Sequence, residues 1–243
     1  MTLTEEQIRR YSRHIILPEV GGRGQKRIME ASVLLAGLGG AGSAAALYLA
    51  AAGVGRIVLW DPAPVTEADL TSAIAHTRDR LGQSRAASAA EPLRAINPEV
   101  EVIVEESEER AAARLNADWV VLLSTEPWQP LHDQALKQGA RVVACGAHGT
   151  GGAVTLFQPG GPCLACLDAN YLHTAGLYGE EAGEAPLAAA AGVIGLMAAA
   201  EVIKLILGKG ISLAGRLLTY DGWNAAVCEH KLEGRGNCPV CGA

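Results

Sequence analysis

SVLLAGLGGAG, residues 32–42, is the stretch of this sequence that decides the fold. Its apolar first half, residues 32–36, is typical of a buried parallel strand. Its second half carries the pattern Gly-x-Gly-x-x-Gly at Gly37, Gly39 and Gly42, with Gly40 between them. Glycines let the chain turn tightly and bring backbone amides close to phosphate, and a helix that begins there adds its positive dipole end. The stretch therefore predicts a strand, a nucleotide-binding turn and the start of a helix.

A second strand and an acidic residue follow at the spacing expected for a βαβ unit. We predict a helix over 43–52 and a strand over 56–60, which runs into Asp61, 19 residues after Gly42. A carboxylate at that place can accept hydrogen bonds from ribose hydroxyls. From these residues alone, the site could serve NAD as readily as ATP.

The rest of the chain continues the alternation of strands and helices. The N-terminal residues, about 1–30, are predicted to be a helical arm, with a capped helix over 4–16, a break at glycines 21–24 and a short helix over 25–29. Further strands are predicted at 100–104, 120–123, 142–145, 154–157, 217–220 and 226–231, and further helices at 84–95, 128–137 and 187–207. The sequence therefore predicts one domain, residues 1–243, of the α/β class with a doubly wound, mainly parallel sheet.

Composition and charge narrow the class of protein. The 243 residues are 49% hydrophobic, enough for a sizeable core, and the net charge of −6 argues against a nucleic-acid binder, which usually needs a basic face. Two uncharged stretches, 31–55 and 186–200, are better explained as buried elements than as membrane spans. Glycines divide the first stretch, and Glu201 and Lys204 continue the helical pattern of the second. The chain begins without a signal-like segment, so we expect a cytoplasmic protein with neither a membrane nor a nucleic-acid partner.

Two Cys-x-x-Cys pairs, Cys163 with Cys166 and Cys238 with Cys241, predict a metal site. Each pair can place two sulfurs on one ion, and two pairs complete the four-thiolate tetrahedral shell typical of structural zinc. Disulfide bonds are the alternative, but thiols stay reduced in the cytosol. We therefore expect a structural zinc site.

The remaining cysteines and the histidines show no ligand spacing. We expect Cys145 and Cys228 to be buried structural thiols, and the six histidines to serve packing or solvent contacts. Only His148 stands out, because it lies in a glycine-rich loop near a predicted strand end.

Several segments taken together resemble the MoeB/ThiF/HesA family of adenylyltransferases, which are similar to ubiquitin-activating enzymes. These segments are RYSRHIIL at 10–17, AGLGGAG at 36–42, AAGVG at 51–55, NP at 97–98 and GVIG at 192–195. The resemblance runs from about Thr4 to the last cysteine and implies the Rossmann-like fold of ubiquitin-activating enzymes. NAD-dependent oxidoreduction would leave the cysteine pairs without a role.

Membership of this family implies an activity and partners. Its members are homodimers that use ATP and magnesium to adenylate the C-terminal Gly-Gly carboxylate of a ubiquitin-like sulfur-carrier protein, with release of pyrophosphate. The pathway implied is molybdopterin, thiamine or related sulfur transfer. The resemblance further implies that the glycine loop holds the nucleotide and that Asp61 binds the ribose. It also implies that Arg13, with Arg10 one helical turn away, reaches the γ-phosphate from the partner subunit.

At four positions the chain departs from the family pattern. Asp69 replaces an asparagine, Ser72 an arginine that contacts phosphate, Arg85 a lysine, and Glu126 the magnesium-binding aspartate. The first two changes make the nucleotide site two charges less positive. Asp69 stays among the expected nucleotide-binding residues, and Arg85 and Glu126 keep the charge needed to hold phosphate and magnesium.

The lost charge leaves two hypotheses open. Arg78 and Arg80 lie near Ser72 in the sequence and could restore the positive charge at the phosphates. The first hypothesis is an adenylating enzyme of the MoeB/ThiF type. The alternative is a catalytically impaired family member that acts as a binding protein or heterodimer partner.

Overall fold

The structure, a computed structural model, describes residues 3–124, 129–167 and 185–242. The strands in this part of the chain are β1 Ser32–Ala36, β2 Arg56–Trp60, β3 Glu101–Val104, β4 Val120–Ser124, β5 Arg141–His148, β6 Gly151–Phe157, β7 Arg216–Asp221 and β8 Ala226–Lys231. The helices are α1 Glu5–Arg10, α2 Ser12–Ile15, α3 Gly21–Glu30, α4 Gly40–Ala52, α5 Arg85–Ile96, α6 Glu108–Ala112, α7 Gln129–Lys137 and α8 Ala188–Leu207.

All the strands join one sheet in the order β3-β2-β1-β4-β5-β6-β7-β8. Strands β1 to β5 pair in parallel, and β6 to β8 add an antiparallel extension. The chain moves from β1 outward to β2 and β3, then returns to place β4 on the other side of β1. In a doubly wound sheet this reversal opens a crevice at the carboxyl end of the strands. The predicted glycine loop starts there.

Strand β1 shows why the sheet is covered on both faces. Val33 and Leu35 belong to one buried core, with side chains from α4, α5 and α8, whereas Leu34 and Ala36 belong to a second core, with side chains from α6 and α7. Alternate residues of a strand point to opposite faces, so an unbroken apolar run requires a layer of helices on each side. The predicted α/β class and mostly parallel sheet are confirmed.

Helix α8 is the one described helix long and apolar enough to cross a membrane by length and composition. Half of its most apolar 18-residue stretch is buried inside the protein. Its Ala191, Ile194 and Ala198 join the same core as α4. At Gly195 a side chain would be impossible, because an added Cβ would lie 2.1 Å from the carbonyl oxygen of Ala41. The burial and the close approach to α4 are those of a core helix.

The predicted element boundaries differ from the observed ones mainly where glycines were taken as breaks. Strand β5 extends to His148 and β6 begins at Gly151, so the predicted strands over 142–145 and 154–157 were too short. The glycines of 21–24 lie inside the ten-residue helix α3, so the predicted helix over 25–29 was too short. The predicted helix over 4–16 is divided at Tyr11 into α1 and α2. Helix α6, at Glu108–Ala112, was missed. Trp128, the predicted start of α7, lies outside the described residues.

The N-terminal arm is fixed to the domain by a buried tyrosine. Tyr11 is 2% exposed, and its hydroxyl accepts a hydrogen bond of 2.9 Å from Nδ2 of Asn97. The same amide donates to the carbonyl of Ala50 at 2.8 Å, near the end of α4. Gly53 has to be a glycine, because its φ is +85° and an added Cβ would lie 2.5 Å from the tyrosine ring. The family segments around Tyr11, Gly53 and Asn97 therefore serve packing of the arm.

Candidate nucleotide site and cysteine cluster

The glycine loop connects β1 to α4 with almost no room for side chains. Gly37 has a φ of +89°, Gly39 precedes the helix in an extended conformation, and Gly40 is the first residue of α4. A Cβ on Gly42 would lie 2.0 Å from the carbonyl oxygen of Gly37, and one on Gly40 would lie 2.8 Å from Cβ of Ala191 in α8. The loop thus presents backbone at a helix N-terminus, as phosphate binding requires.

Asp61 is held against this loop at the end of β2. Its carboxylate accepts hydrogen bonds from the amide of Leu38 at 2.7 Å and from the amide of Ala63 at 3.1 Å. The residue is 2% exposed, and burial raises the pKa of its carboxyl group, although the amide of Leu38 and the guanidinium of Arg85 act in the opposite direction. The predicted pairing of glycine loop and acidic residue is present.

Arg85 lies at the start of α5 and faces two carboxylates. Its Nη2 is 2.7 Å from Oδ1 of Asp69, and its Nη1 is 3.9 Å from Oδ2 of Asp61. Asp69 also accepts hydrogen bonds from the amide of Thr66 at 2.7 Å and from its hydroxyl at 2.8 Å. Burial would raise the pKa of Asp69, but Thr66 and Arg85 together hold it below its ordinary value. Two predicted site residues therefore form an ion pair beside Asp61.

The other predicted residues lie elsewhere or outside the described chain. Arg10 donates to the carbonyl of Ile96 at the far end of α5, roughly 16 Å from Arg85 by helical rise. Arg13 is exposed on α2. Glu126 is outside the described residues, and β4 ends two residues earlier, at the buried Ser124. Within one chain, the structure brings together the glycine loop, Asp61, Asp69 and Arg85, but not Arg10.

A buried histidine contacts the backbone of the glycine loop, and it was not identified from the sequence as a site residue. His76 is 6% exposed, its Nε2 lies 2.8 Å from the carbonyl oxygen of Leu38, and its Nδ1 lies 2.9 Å from the hydroxyl of Ser88. Because a carbonyl only accepts, Nε2 carries the proton and the neutral ring accepts from Ser88. The position has no ligand spacing in the sequence, so no pattern could have identified it.

The pH dependence of stability should report on His76. Burial is the main cause that lowers its pKa below 6.5 in the folded protein. Below about pH 6.5 the unfolded chain therefore binds a proton that the folded chain does not, and stability falls with decreasing pH by at most about 1.4 kcal/mol per unit. Urea unfolding at about pH 7 and about pH 5.5 measures this loss. His76→Gln, which keeps a donor for Leu38, should show a smaller loss, and an unchanged slope would contradict the assignment.

The four paired cysteines meet in one cluster. The sulfur of Cys163 is 3.8 Å from that of Cys166 and 3.7 Å from that of Cys238, and the sulfurs of Cys166 and Cys241 are 3.4 Å apart. All four sulfurs lie within 4.8 Å of one another. A disulfide would need about 2.05 Å, whereas a tetrahedral ion with ligands at ~2.3 Å separates its sulfurs by ~3.8 Å. The donor set therefore fits a tetrahedral metal ion.

A buried histidine supports the first cysteine pair. The amide of Leu164 donates to Nε2 of His132 at 3.3 Å, and Nδ1 of His132 lies 2.8 Å from a carboxylate oxygen of Asp133. The ring meets Phe157 edge to face, with the ring centroids 5.0 Å apart. This chain of contacts fixes the backbone between Cys163 and Cys166.

The two remaining cysteines differ in their surroundings. Cys145 is buried in β5, and burial raises the pKa of its thiol to about 12. Cys228 is exposed, so its predicted burial was wrong. The reason is its position on β8, an edge strand whose residues are mostly exposed.

Doubly wound α/β proteins hold nucleotides at a backbone turn where the strand order of the sheet reverses. The fold and the glycine loop place this chain in that class of α/β protein. It belongs to the ThiF family, which it matches over residues 11–240. The family and its named relatives are adenylyltransferases similar to the E1 ubiquitin-activating enzymes, and this protein is an enzyme of that kind. The resemblance drawn from the sequence is confirmed.

The curated relatives agree with membership of this family. "SAMP-activating enzyme E1" of Haloferax volcanii is 34% identical over 258 residues, which cover 100% of this chain and 92% of the relative. "Adenylyltransferase and sulfurtransferase MOCS3" of Mus musculus is 35% identical over 254 residues, or 99% of this chain and 54% of the relative. The chain therefore spans about half the length of the MOCS3 relatives.

The structural comparison adds the fold alone. A structure of E. coli MccB with ATP superposes with a TM-score of 0.80 at 22% identity, covering 96% of this chain and 73% of the other. The structure of PaaA gives 0.76 at 18% identity, covering 95% and 75%.

Proposed function

We propose that this protein adenylates the C-terminal Gly-Gly carboxylate of a ubiquitin-like sulfur-carrier protein, with ATP as the adenylate donor. The observation that carries the proposal is the hydrogen bond from Leu38 to Asp61, which fixes a ribose acceptor beside an amide-lined loop. The name of the Haloferax relative, a SAMP-activating E1, supports a carrier protein as the acceptor. We place the reaction in the cytoplasm, in molybdopterin, thiamine or related sulfur transfer.

The proposed chemistry assigns a task to each part of the site. The carrier carboxylate attacks the α-phosphorus, an acyl-adenylate forms, and pyrophosphate leaves. Free amides at the start of α4 stabilise the negative charge on the phosphates, and Asp61 orients the ribose. Arg85 is proposed to hold phosphate oxygens after it leaves its carboxylate partner. Glu126, outside the described residues, is proposed to hold the magnesium ion that accompanies ATP.

The phosphate site is completed, in this proposal, by Arg13 of a second copy. An apolar face supports a homodimer: Leu17, Tyr48 and Leu196 are 46%, 58% and 37% exposed beside a cavity of about 650 Å³. Large exposed apolar patches mark interaction sites, and an apolar lining is typical of permanent dimers. Arg13 lies four residues before Leu17, so a partner on this face would carry its own Arg13 into the interface.

The ion in the cysteine cluster is proposed to be zinc with a structural role. Four thiolates leave no open position for substrate or water, which is the pattern of structural rather than catalytic zinc. The cluster joins 163–166 to 238–241 and so fixes the C-terminal segment to the sheet.

Carrier-dependent exchange of pyrophosphate into ATP tests the proposed function. The protein is incubated with magnesium, ATP, labelled pyrophosphate and a panel of ubiquitin-like proteins that end in Gly-Gly. We expect labelled ATP only with a cognate carrier, and none when its last glycine is removed. Absence of exchange across the whole panel would contradict adenylation.

Restoring the family arginine at Ser72 should strengthen ATP binding. In the structure Arg80 has other partners: its guanidinium donates to the carbonyl of Ser88 at 3.0 Å and pairs with Glu91 at 2.7 Å. Arg78 is 84% exposed and lies 3.7 Å from Glu67. Ser72→Arg would add a charge beside the first turn of α4, so we expect about fivefold tighter magnesium–ATP binding by calorimetry.

The control for Ser72→Arg is Thr71→Arg, which adds the same charge one residue away, on an exposed side chain. It should change the affinity by less than about twofold. Equal gains from the two variants would show that net charge, and not the position of the arginine, limits ATP binding.

A further inference from the structure

The ion pair between Asp69 and Arg85 leaves the guanidinium incompletely satisfied. Arginine carries five N–H donors, yet Nη2 faces Asp69, Nη1 is too far from Asp61 for a hydrogen bond, and Nε is buried with no hydrogen-bond partner among the described residues. Buried donors normally have acceptors, so Nε and Nη1 of Arg85 remain available to an acceptor-rich ligand next to Asp61. A phosphate group offers such oxygens.

Asp69 is itself held firmly in place. The amide and hydroxyl of Thr66 both donate to Oδ2, which leaves Oδ1 for Arg85. The side chains of Asp69 and Arg85 are 10% and 18% exposed, so water screens their attraction only in part. The carboxylate of Asp69 therefore stays paired with the guanidinium of Arg85 whenever no stronger anion is present.

We propose that Asp69 is a specificity-determining residue that competes with the phosphates of ATP for Arg85. This inference rests on the proposed function and concerns the same site. Phosphate binding requires Arg85 to exchange a carboxylate for phosphate oxygens, and the charge of Asp69 then remains near the bound phosphates. Asp69 therefore weakens binding of phosphorylated nucleotides and leaves binding of the nucleoside, which meets Asp61, unchanged.

The test compares wild type, Asp69→Asn and Glu67→Gln by calorimetric titration with magnesium and α,β-methylene-ATP, and separately with adenosine. The amide of the Asp69→Asn variant would keep an oxygen for Thr66 while losing the negative charge, so the fold should be retained and is checked by the melting temperature. Glu67 lies two residues from Asp69, and its side chain is 65% exposed and paired with Arg78. Glu67→Gln therefore removes an equal negative charge nearby but leaves the ion pair of Arg85 intact.

We expect Asp69→Asn to bind the ATP analogue about tenfold more tightly than wild type, and Glu67→Gln to change its affinity less than about twofold. Adenosine affinity should be the same in all three proteins. The inference is overturned by equal affinities of wild type and Asp69→Asn for the analogue, by equal gains from the two variants, or by a matching gain for adenosine.

The outcomes separate this inference from the proposed function. Tighter analogue binding by Asp69→Asn without carrier-dependent pyrophosphate exchange would support the role of Asp69 and contradict adenylation. Exchange by wild type with no effect of Asp69→Asn on binding would support adenylation and overturn the role of Asp69. Failure of every variant to bind the analogue at millimolar concentration would contradict both.

Discussion

Gly42→Ala should abolish measurable ATP binding and destabilise the fold. The new Cβ would lie 2.0 Å from the carbonyl oxygen of Gly37 and 2.9 Å from its carbon, and both atoms belong to backbone of the same loop. The only relief is to move the loop away from α4, at a cost of about 1–3 kcal/mol and with displacement of the amides proposed to bind phosphate. Because those amides and the dipole at the start of α4 are the proposed phosphate contacts, their displacement should take ATP binding out of calorimetric range.

The control for Gly42→Ala is Gly192→Ala in α8. An added Cβ there meets nothing within 4 Å, so the variant should bind ATP normally and gain about 0.5–1 kcal/mol from the higher helix propensity of alanine. Urea unfolding and calorimetry measure both quantities. Normal ATP binding by Gly42→Ala would show that the loop is not the nucleotide site.

Cys238→Ser should release the metal and destabilise the C-terminal part of the chain. Cys238 is buried, with its sulfur 3.7 Å from that of Cys163. The amide of Cys241, and after it that of Val240, donates to this sulfur and lowers the pKa of the thiol to about 6. Serine cannot supply a thiolate, so the remaining three sulfurs hold the ion weakly. A loss of about 3 kcal/mol would lower the melting temperature by roughly 10 °C.

Metal analysis and thermal unfolding, with and without a chelator, measure this effect. Wild type should contain one zinc per chain, and chelation should lower its melting temperature to that of Cys238→Ser. Cys228→Ser removes an exposed cysteine outside the cluster and should leave both zinc content and melting temperature unchanged. Full stability of wild type without zinc would rule out a structural role for the ion.

Much of the fold could be predicted because its signals are local. Strand β1 was predicted with its observed bounds, since a short apolar run bounded by glycine is unambiguous when both faces of the sheet are covered. The glycines of 21–24 misled the prediction, because they form the first turn of α3 and do not break a helix. Of the three, Gly24 has a close neighbour in another element: an added Cβ would lie 3.0 Å from Leu207. That neighbour belongs to α8, near the other end of the chain.

The sequence predicted the residues of the candidate nucleotide site but not the ion pair between Asp69 and Arg85. The loop and Asp61 follow from spacing along one βαβ unit, which fixes their relative positions. The contact between Asp69 and Arg85 depends on how the segment between them returns to the sheet, and that path leaves no periodic signal. His76 was not predicted either, because its partner Leu38 lies in a different part of the chain and the contact has no sequence pattern.

Helix α4 connects two ends of this molecule with different tasks. Its first turn belongs to the glycine loop. Its last turn accepts a hydrogen bond from Gln25 of the arm at Ala52 and one from Asn97, the partner of Tyr11, at Ala50, next to the exposed Tyr48 of the apolar face. Helix α4 has 13 residues and is therefore about 20 Å long. Helix α8 packs against its first turn at Gly195. If association at one end changes nucleotide affinity at the other by some factor, thermodynamic reciprocity requires nucleotide to change the association constant by the same factor. Nucleotide affinity and self-association of this chain would then have to be measured as one linked equilibrium.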